Sequence, residues 1–109
     1  MLAVLAGATL TSVTPTYAGQ PAYVGKWGKD AAHCKSGQEI MNAPMLISKN
    51  GYDSHEVHCK FTSSKKSGNT WTMKTKCFVE GDQQTGSLKL AIKGKSLIVD
   101  GSHKLKRCG

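Results

Sequence analysis

The sequence contains few carboxylates and lacks the residue patterns of common catalytic sites. It has 7 Asp and Glu residues against 15 Lys and Arg residues, a formal net charge of +8. No G-x-S-x-G motif is present, which excludes the nucleophile turn of α/β-hydrolases. Glycine-rich phosphate-binding loops are absent as well. We therefore predict that the chain is not an enzyme and binds no cofactor.

The chain also lacks any sustained helical pattern. Its 109 residues suffice for one small domain. No segment repeats apolar residues with a helical period, whereas short alternating runs recur about every ten residues between Gly, Asn, Ser and Lys clusters. This predicts an all-β fold, an antiparallel meander or barrel of about seven short strands. The predicted strands are Tyr23–Gly28, Pro44–Lys49, Ser54–Ser63, Thr70–Val79, Gly86–Lys93, Ser96–Gly101 and Ser102–Cys108, with an irregular link from Lys29 to Ala43.

Residues 1–18 contain no charged side chain and resemble a secretory signal peptide. An apolar run from Leu2 to Leu10 is followed by Thr16-Tyr17-Ala18, with small residues at the −3 and −1 positions of a cleavage site. The run is too short for the roughly 20 residues of a membrane-spanning helix. The first basic residue is Lys26, so a true start upstream of Met1 stays open. We expect residues 19–109 to form a single domain, periplasmic or secreted, with no transmembrane segment after cleavage.

The four cysteines lack the C-x-x-C spacing of zinc sites, and the four histidines lack the H-x₃₋₅-H spacing. No metal site is predicted. Cys34, Cys59, Cys77 and Cys108 all follow the predicted signal peptide. An even count in a short exported chain predicts two disulfides, with three connectivities. Each bridge would add about 2–4 kcal/mol to a domain too small to bury a large core.

Two hairpins can be aligned from the sequence. A two-residue turn at Gly94-Lys95 places apolar residues opposite one another on one side. The predicted facing pairs are Leu90 with Val99, Ile92 with Leu97 and, on the other side, Lys89 with Asp100. A further turn is predicted at Asn50-Gly51, between the second and third strands.

The other hairpin predicts a disulfide. A loop centred on Gly68 (Ser67-Gly68-Asn69) places Cys59 opposite Cys77 on neighbouring strands. Opposed cysteines can bridge at a non-hydrogen-bonded site. This register predicts a Cys59–Cys77 bridge and leaves Cys34 for Cys108, although a slip of one residue would remove the pairing.

The same register predicts an outward surface rich in lysine. The outward residues are Glu56, His58, Lys60 and Thr62 on one strand and Thr72, Lys74, Lys76 and Phe78 on the other. Lys60 therefore lies opposite Lys76, and like charges in this position destabilise a sheet. Either the side chains extend into water or an anionic partner offsets the repulsion. We predict an anion-binding face made by Lys60, Lys74, Lys76 and His58, with Lys65, Lys66, Lys104, Lys106 and Arg107 extending the positive surface.

The cations indicate the kind of partner. Arg107 is the single arginine among the 15 cations. Base-specific recognition of nucleic acids relies on bidentate arginine, so sequence-specific nucleic-acid binding is not expected. Diffuse lysine charge suits an anionic polymer or lipid surface of the cell envelope. Glu56 and Glu80 would face each other on the hairpin but point outward near lysines, so they predict no paired-carboxylate site.

Both ends of the chain resemble calycin barrels. Gly25-Lys26-Trp27 is similar to the lipocalin-type G-x-W motif of the first strand, and Arg107 lies where calycins place a basic residue over that Trp. The resemblance implies a cation–π contact between Trp27 and Arg107, of about 0.5–2 kcal/mol, that joins the terminal strands. The wider layout resembles small exported alphaproteobacterial proteins that mostly lack assigned functions. That layout comprises Cys34-x-x-Gly37, Cys59-Lys60-Phe61-Thr62, Gly68-Asn69-Thr70-Trp71, Cys77 and Arg107-Cys108.

The calycin resemblance implies an alternative function. Calycins of this size in the bacterial periplasm include inhibitors of metalloproteases and lysozymes. The chain would then present a loop or its N-terminal arm, Gly19–Val24, to the cleft of a hydrolase. A basic c-type lysozyme would be repelled by a basic inhibitor, whereas an acidic protease is compatible. No inhibitory motif matches residue by residue, so a non-enzymatic binding protein is the first expectation and a hydrolase inhibitor the second.

Overall fold

The structure is a computed structural model that describes residues 20–109; the predicted signal peptide lies outside the described residues. Eight antiparallel strands form a closed barrel in which each strand pairs with the next and the last pairs with the first. This confirms the predicted all-β fold. The elements are β1 (Gly25–Gly28), α1 (Ala31–Cys34), β2 (Met45–Ser48), β3 (Gly51–Ser54), β4 (Val57–Ser67), β5 (Thr70–Val79), β6 (Asp82–Lys93), β7 (Ser96–Val99) and β8 (His103–Arg107).

The core follows from alternation along the strands. Successive side chains of a strand point to opposite faces. In β5, Trp71 and Met73 are buried, while Thr72 and Lys74 between and beyond them are exposed. The largest fully buried side chains are those of Trp27, Met73, Leu90, Leu97 and Pro44. The alternating pattern therefore sets both the barrel interior and the outward lysine surface.

The predicted strand Ser54–Ser63 is wrong at its beginning, because the chain turns at residues 55 and 56. His55 has a φ of 55°, a left-handed conformation that interrupts a strand. The segment is divided between β3 and β4, which gives eight strands instead of seven. β3 was missed because Gly51 begins it. A Cβ at Gly51 would overlap the backbone carbonyl of Cys59, so close approach of β3 and β4 requires a glycine there. The β2–β3 turn consists of residues 49 and 50, not Asn50-Gly51.

The remaining differences are in element length. β1 begins at Gly25 rather than Tyr23, and β6 begins at Asp82 rather than Gly86. The polar stretch before Gly86 has no apolar alternation, but it continues the β5–β6 ladder down to the Val79 and Asp82 pair. The predicted irregular link contains only one helical turn, α1, which Asp30 caps by accepting a hydrogen bond from the His33 N–H.

The hairpin between β4 and β5 has the predicted pairing around the cysteines. Cys59 lies opposite Cys77, and Lys60 lies opposite Lys76. The predicted three-residue loop is wrong: Ser67 pairs with Thr70, so only residues 68 and 69 form the loop. A β-bulge between Phe61 and Ser63 shifts the register by one residue and compensates for the shorter loop. Thr62 occupies this bulge.

The second hairpin and both disulfides are confirmed. Leu90 pairs with Val99 and Ile92 with Leu97. Cys59 is bonded to Cys77, with Cα atoms 4.0 Å apart, and Cys34 is bonded to Cys108, with Cα atoms 5.4 Å apart. The second bridge ties α1 to the end of β8. Two disulfides and no free cysteine among the described residues indicate an oxidising environment.

Arg107 closes the barrel where β1 meets β8. Trp27 pairs with Arg107 in register, and the guanidinium carbon lies 4.3 Å from the centre of the Trp27 ring. The expected cation–π contact is therefore present. Arg107 also donates hydrogen bonds to the carbonyls of Val24, at 2.9 Å, and Ala22, at 2.8 Å. A Cβ at Gly25 would collide with Arg107, which accounts for glycine two residues before Trp27.

Candidate functional site

Five lysines share the outer surface of the three longest strands. Lys60 and Lys76 face each other across β4 and β5, and Lys74 lies two residues from Lys76 on β5. The register adds two more: Lys65 pairs with Thr72, and Thr72 pairs with Lys89 of β6. Because directly paired residues point to the same face, all five project outward. We call this surface the lysine face; it consists of Lys60, Lys65, Lys74, Lys76 and Lys89.

The bulge at Thr62 decides which of two adjacent lysines joins the lysine face. In an uninterrupted strand Lys60, Thr62 and Lys66 would share one side. The shift of one residue at the bulge instead brings Lys65 to the outer surface. Lys66 then lies on the other side, with its Nζ 5.4 Å from the centre of the Trp71 ring. The sequence analysis assigned both Lys65 and Lys66 to the positive surface and did not separate them, because the residue type of Thr62 does not mark a bulge.

A shallow groove lined by Lys, Thr, Gln and Ser residues runs along the lysine face between β5 and β6. Its volume is about 490 Å³. Lys74 and Lys76 line one side, and Gln83, Thr85 and Ser87 line the other. Thr62 is held at one end by donating a hydrogen bond to the Lys74 carbonyl, at 3.3 Å. The groove thus combines two ammonium groups with hydroxyl and amide donors, a combination that suits phosphate, sulfate or carboxylate oxygens.

β4 and β5, which carry four lysines of the lysine face, contain no carboxylate. None occurs between Glu56 and Glu80, a stretch that contains five lysines. Among residues 20–109, the structure shows no ion pair for any lysine. No ion pair within the described residues therefore offsets the repulsion between Lys60 and Lys76.

His58 lies on the same outward side, opposite Phe78, but next to an acidic group. Its Nδ1 is 2.6 Å from Oδ1 of Asp53 on β3, and both side chains are more than half exposed. The prediction grouped His58 with the lysines because β3 was not recognised as a separate strand. Its carboxylate partner makes His58 a poorer anion ligand than the lysines.

Glu56 and Glu80 lie in two different turns. Both are exposed in turns beyond the Val57 and Val79 pair, and Glu80 has a φ of 51°. His55 lies beside Glu56 in the turn between β3 and β4, and its backbone N–H donates a hydrogen bond to the side-chain oxygen of Gln38 at 2.7 Å. No group of three or more His, Cys, Asp or Glu residues in the described part of the chain is arranged to hold a metal ion.

A separate cavity of about 360 Å³ lies beside the barrel core. Core side chains such as Trp27, Leu88 and Val99 form its walls, and Asp100 and Tyr52 also line it. Burial, followed by the negative charge of Asp100, raises the pKa of Tyr52 above its ordinary value. Tyr52 therefore stays neutral at physiological pH. The lysine face does not share this cavity.

The N-terminal arm is fixed to the barrel. Tyr23 is only 2% exposed, and its ring contacts those of Trp71 and Phe61 in edge-to-face geometry. Its carbonyl accepts a hydrogen bond from the Trp27 indole N–H at 2.9 Å. Packing and the hydrogen bonds from Arg107 therefore hold residues 22–24 against the barrel. Gly19 lies outside the described residues.

No protein-family model, curated protein or solved structure matches the chain. Within residues 20–109, no helix is both long and apolar enough to cross a membrane.

Proposed function

We propose that the protein is an exported, non-enzymatic binding protein whose lysine face binds an anionic component of the cell envelope. The observation that carries this proposal is the direct opposition of Lys60 and Lys76, with no carboxylate on either of their two strands, β4 and β5. Such a pair costs stability in the free protein, and a bound anion would offset that cost. The shared chemistry of the ligand is a row of closely spaced phosphate, sulfate or carboxylate groups, on a polymer or a lipid surface.

The periplasm or the exterior of the cell is the proposed location. Two disulfides support an oxidising compartment, and the signal-peptide pattern of residues 1–18 supports export. Polymers and lipids with many negative charges are accessible in both places. Inhibition of a hydrolase is the second proposal, through a loop rather than the arm, because the arm is packed against the barrel.

Salt dependence and matched charge reversals test the proposal. Purified protein would be measured against vesicles containing an anionic phospholipid, and separately against dextran sulfate beads, to distinguish a lipid from a polymer. Binding should weaken steeply with salt because exposed charges are screened within about 10 Å at 0.1 M. Lys60→Glu with Lys76→Glu should reduce affinity far more than Lys93→Glu with Lys95→Glu, an equal charge change at the end of β6 and its turn.

A single substitution separates a binding surface from a stabilising one. Lys60→Thr removes the repulsion with Lys76, so it should stabilise the fold by a few tenths of a kcal/mol while weakening binding. Equal losses of affinity for both double variants would reduce the effect to general net charge. Absence of binding at low salt by the parent protein would contradict the proposal and favour the inhibitor.

A further inference from the structure

One half of β6 has no neighbour along its second edge. β5 pairs with β6 from Thr70 through Val79, but β7 pairs only with residues 90–93 of β6. Asp100 ends the β6–β7 ladder: its N–H donates to the Lys89 carbonyl at 2.8 Å, and its Oδ1 accepts from the Lys89 N–H at 2.9 Å. On the N-terminal side of Lys89, no residue among the described residues 20–109 pairs with the second edge of β6 over residues 82–88. We call it the open edge.

The groups at the open edge follow from the period of a strand. Backbone groups of alternate residues point to opposite neighbours, and those of Lys89 point toward Asp100. The N–H and C=O groups of Gln83, Thr85 and Ser87 therefore face outward along the open edge, while those of Gln84 and Gly86 face β5. All residues from 82 to 87 are exposed.

Apart from the charge of Asp82 at its beginning, the open edge lacks the features that usually prevent strand addition. Natural edge strands carry lysine or proline, contain a bulge, or are covered by other elements. Residues 82–88 contain neither lysine nor proline, and their pairing with β5 has no bulge. An extended segment can therefore add to this edge through main-chain hydrogen bonds, a common mode of peptide recognition.

Charge selects the added segment. Lys76 pairs with Thr85, and Lys74 pairs with Ser87, so both ammonium groups lie one strand away from the open edge. A strand added there would lie about 10 Å from β5, two strand spacings. Extended Lys and Glu side chains together can cover that distance. A second copy of this chain would instead bring another lysine face alongside, at a net charge of +8 for each copy.

We infer that the open edge binds an extended peptide segment with acidic residues at every second position, by β-strand addition beside Lys74 and Lys76. This goes beyond the proposed function, although the two share those lysines. A protein partner would thus be recognised by its backbone at Gln83, Thr85 and Ser87 and by its carboxylates at the lysine face.

Amide hydrogen exchange of the full protein, followed by NMR, tests the inference. The probe is an acetylated, amidated peptide of four Thr-Glu repeats. Its binding should slow exchange at the N–H groups of Gln83, Thr85 and Ser87 by about tenfold or more, since these gain main-chain hydrogen bonds. Exchange at Gln84 and Gly86 should change little, because their N–H groups already face β5. Four Thr-Gln repeats should bind about three- to tenfold more weakly, and four Thr-Lys repeats should not bind.

Variants separate the edge from the charges. Thr85→Pro removes an N–H that has no partner within the barrel, so the fold should persist and peptide binding should be lost. Thr85→Ser keeps the N–H and should bind like the parent. If Thr85→Pro fails to fold, a Thr-Glu peptide N-methylated at alternate residues replaces it, because its backbone cannot complete the ladder. Lys74→Gln with Lys76→Gln should remove the preference for the acidic peptide over the Thr-Gln peptide.

The outcomes distinguish this inference from the proposed function. Peptide binding without slower exchange at Gln83, Thr85 and Ser87 would contradict binding at the open edge and leave the lysine face as the binding site. Binding of anionic vesicles but of no peptide would also overturn the edge alone. Protection of the same three amides that rises with protein concentration, without peptide, would identify a second copy as the occupant and overturn the acidic peptide.

Discussion

Arg107 is the side chain whose removal should most clearly test how the barrel is closed. Arg107→Ala removes the guanidinium above Trp27 and two hydrogen bonds to the carbonyls of Ala22 and Val24. The cation–π contact contributes about 0.5–1 kcal/mol at an exposed site. Each hydrogen bond contributes about 1 kcal/mol. The total loss should be about 2–3 kcal/mol, above the 0.5–2 kcal/mol expected from the cation–π contact alone.

Thermal and urea unfolding with the disulfides intact provide the assay. In a domain of this size, 1 kcal/mol shifts the melting temperature by about 4–8 °C, so Arg107→Ala should melt about 10–20 °C below the parent. Arg107→Lys can keep a cation over the ring but cannot donate to both carbonyls, and should lose about half as much. The control is Lys106→Ala, the adjacent exposed residue, which should change stability by less than about 0.5 kcal/mol.

Two results would refute this reasoning about Arg107. If Arg107→Ala and Lys106→Ala have the same melting temperature, the contacts of Arg107 at the junction of β1 and β8 contribute nothing measurable to stability. If Arg107→Lys retains full stability, the positive charge alone matters and the two hydrogen bonds do not. Loss of folding in Arg107→Ala would still leave Arg107→Lys as the measurable variant.

Three further predictions concern stability. Replacing Cys34 and Cys108 by Ser should lower the free energy of unfolding, measured with urea, by about 4.5 kcal/mol, and replacing Cys59 and Cys77 should lower it by about 3 kcal/mol. The difference arises because the two bridges span 74 and 18 residues. Equal losses would contradict the loop-entropy argument. Gly25→Ala should destabilise the parent protein more than it destabilises the Arg107→Ala variant, because part of the cost of the new Cβ is a collision with Arg107. Additive effects of the two substitutions in a double-mutant cycle would exclude that collision. The raised pKa of Tyr52 means that the folded state holds the proton of the Tyr52 hydroxyl more tightly than the unfolded state does. The stabilisation that this proton gives is therefore complete below pH about 10 and is lost as the pH rises through the pKa of the folded state. Tyr52→Phe should therefore show a smaller loss of stability between pH 9 and pH 11 than the parent, and identical losses would contradict the assignment.

The sequence by itself determined the fold class, both hairpin pairings around their apolar or cysteine residues, and the disulfides. Alternation of buried and exposed side chains is a local property of a strand, so it can be read residue by residue. The Gly94-Lys95 turn has a glycine with positive φ where it was expected. Lys60 opposite Lys76 could be predicted for the same reason, since their pairing follows that of Cys59 with Cys77.

Only the tertiary structure decided the features that depend on distant parts of the chain. β3 forms because a glycine allows close approach to β4, and no local pattern marks it. The bulge at Thr62 is not signalled by its residue type, yet it moves Lys65 onto the lysine face and turns Lys66 toward Trp71. The open edge exists because the short β7 ends at Val99, next to Leu90, while β6 begins eight residues earlier at Asp82. Strand length and register across a closed barrel depend on how all eight strands pair at once, which periodicity within one strand does not determine.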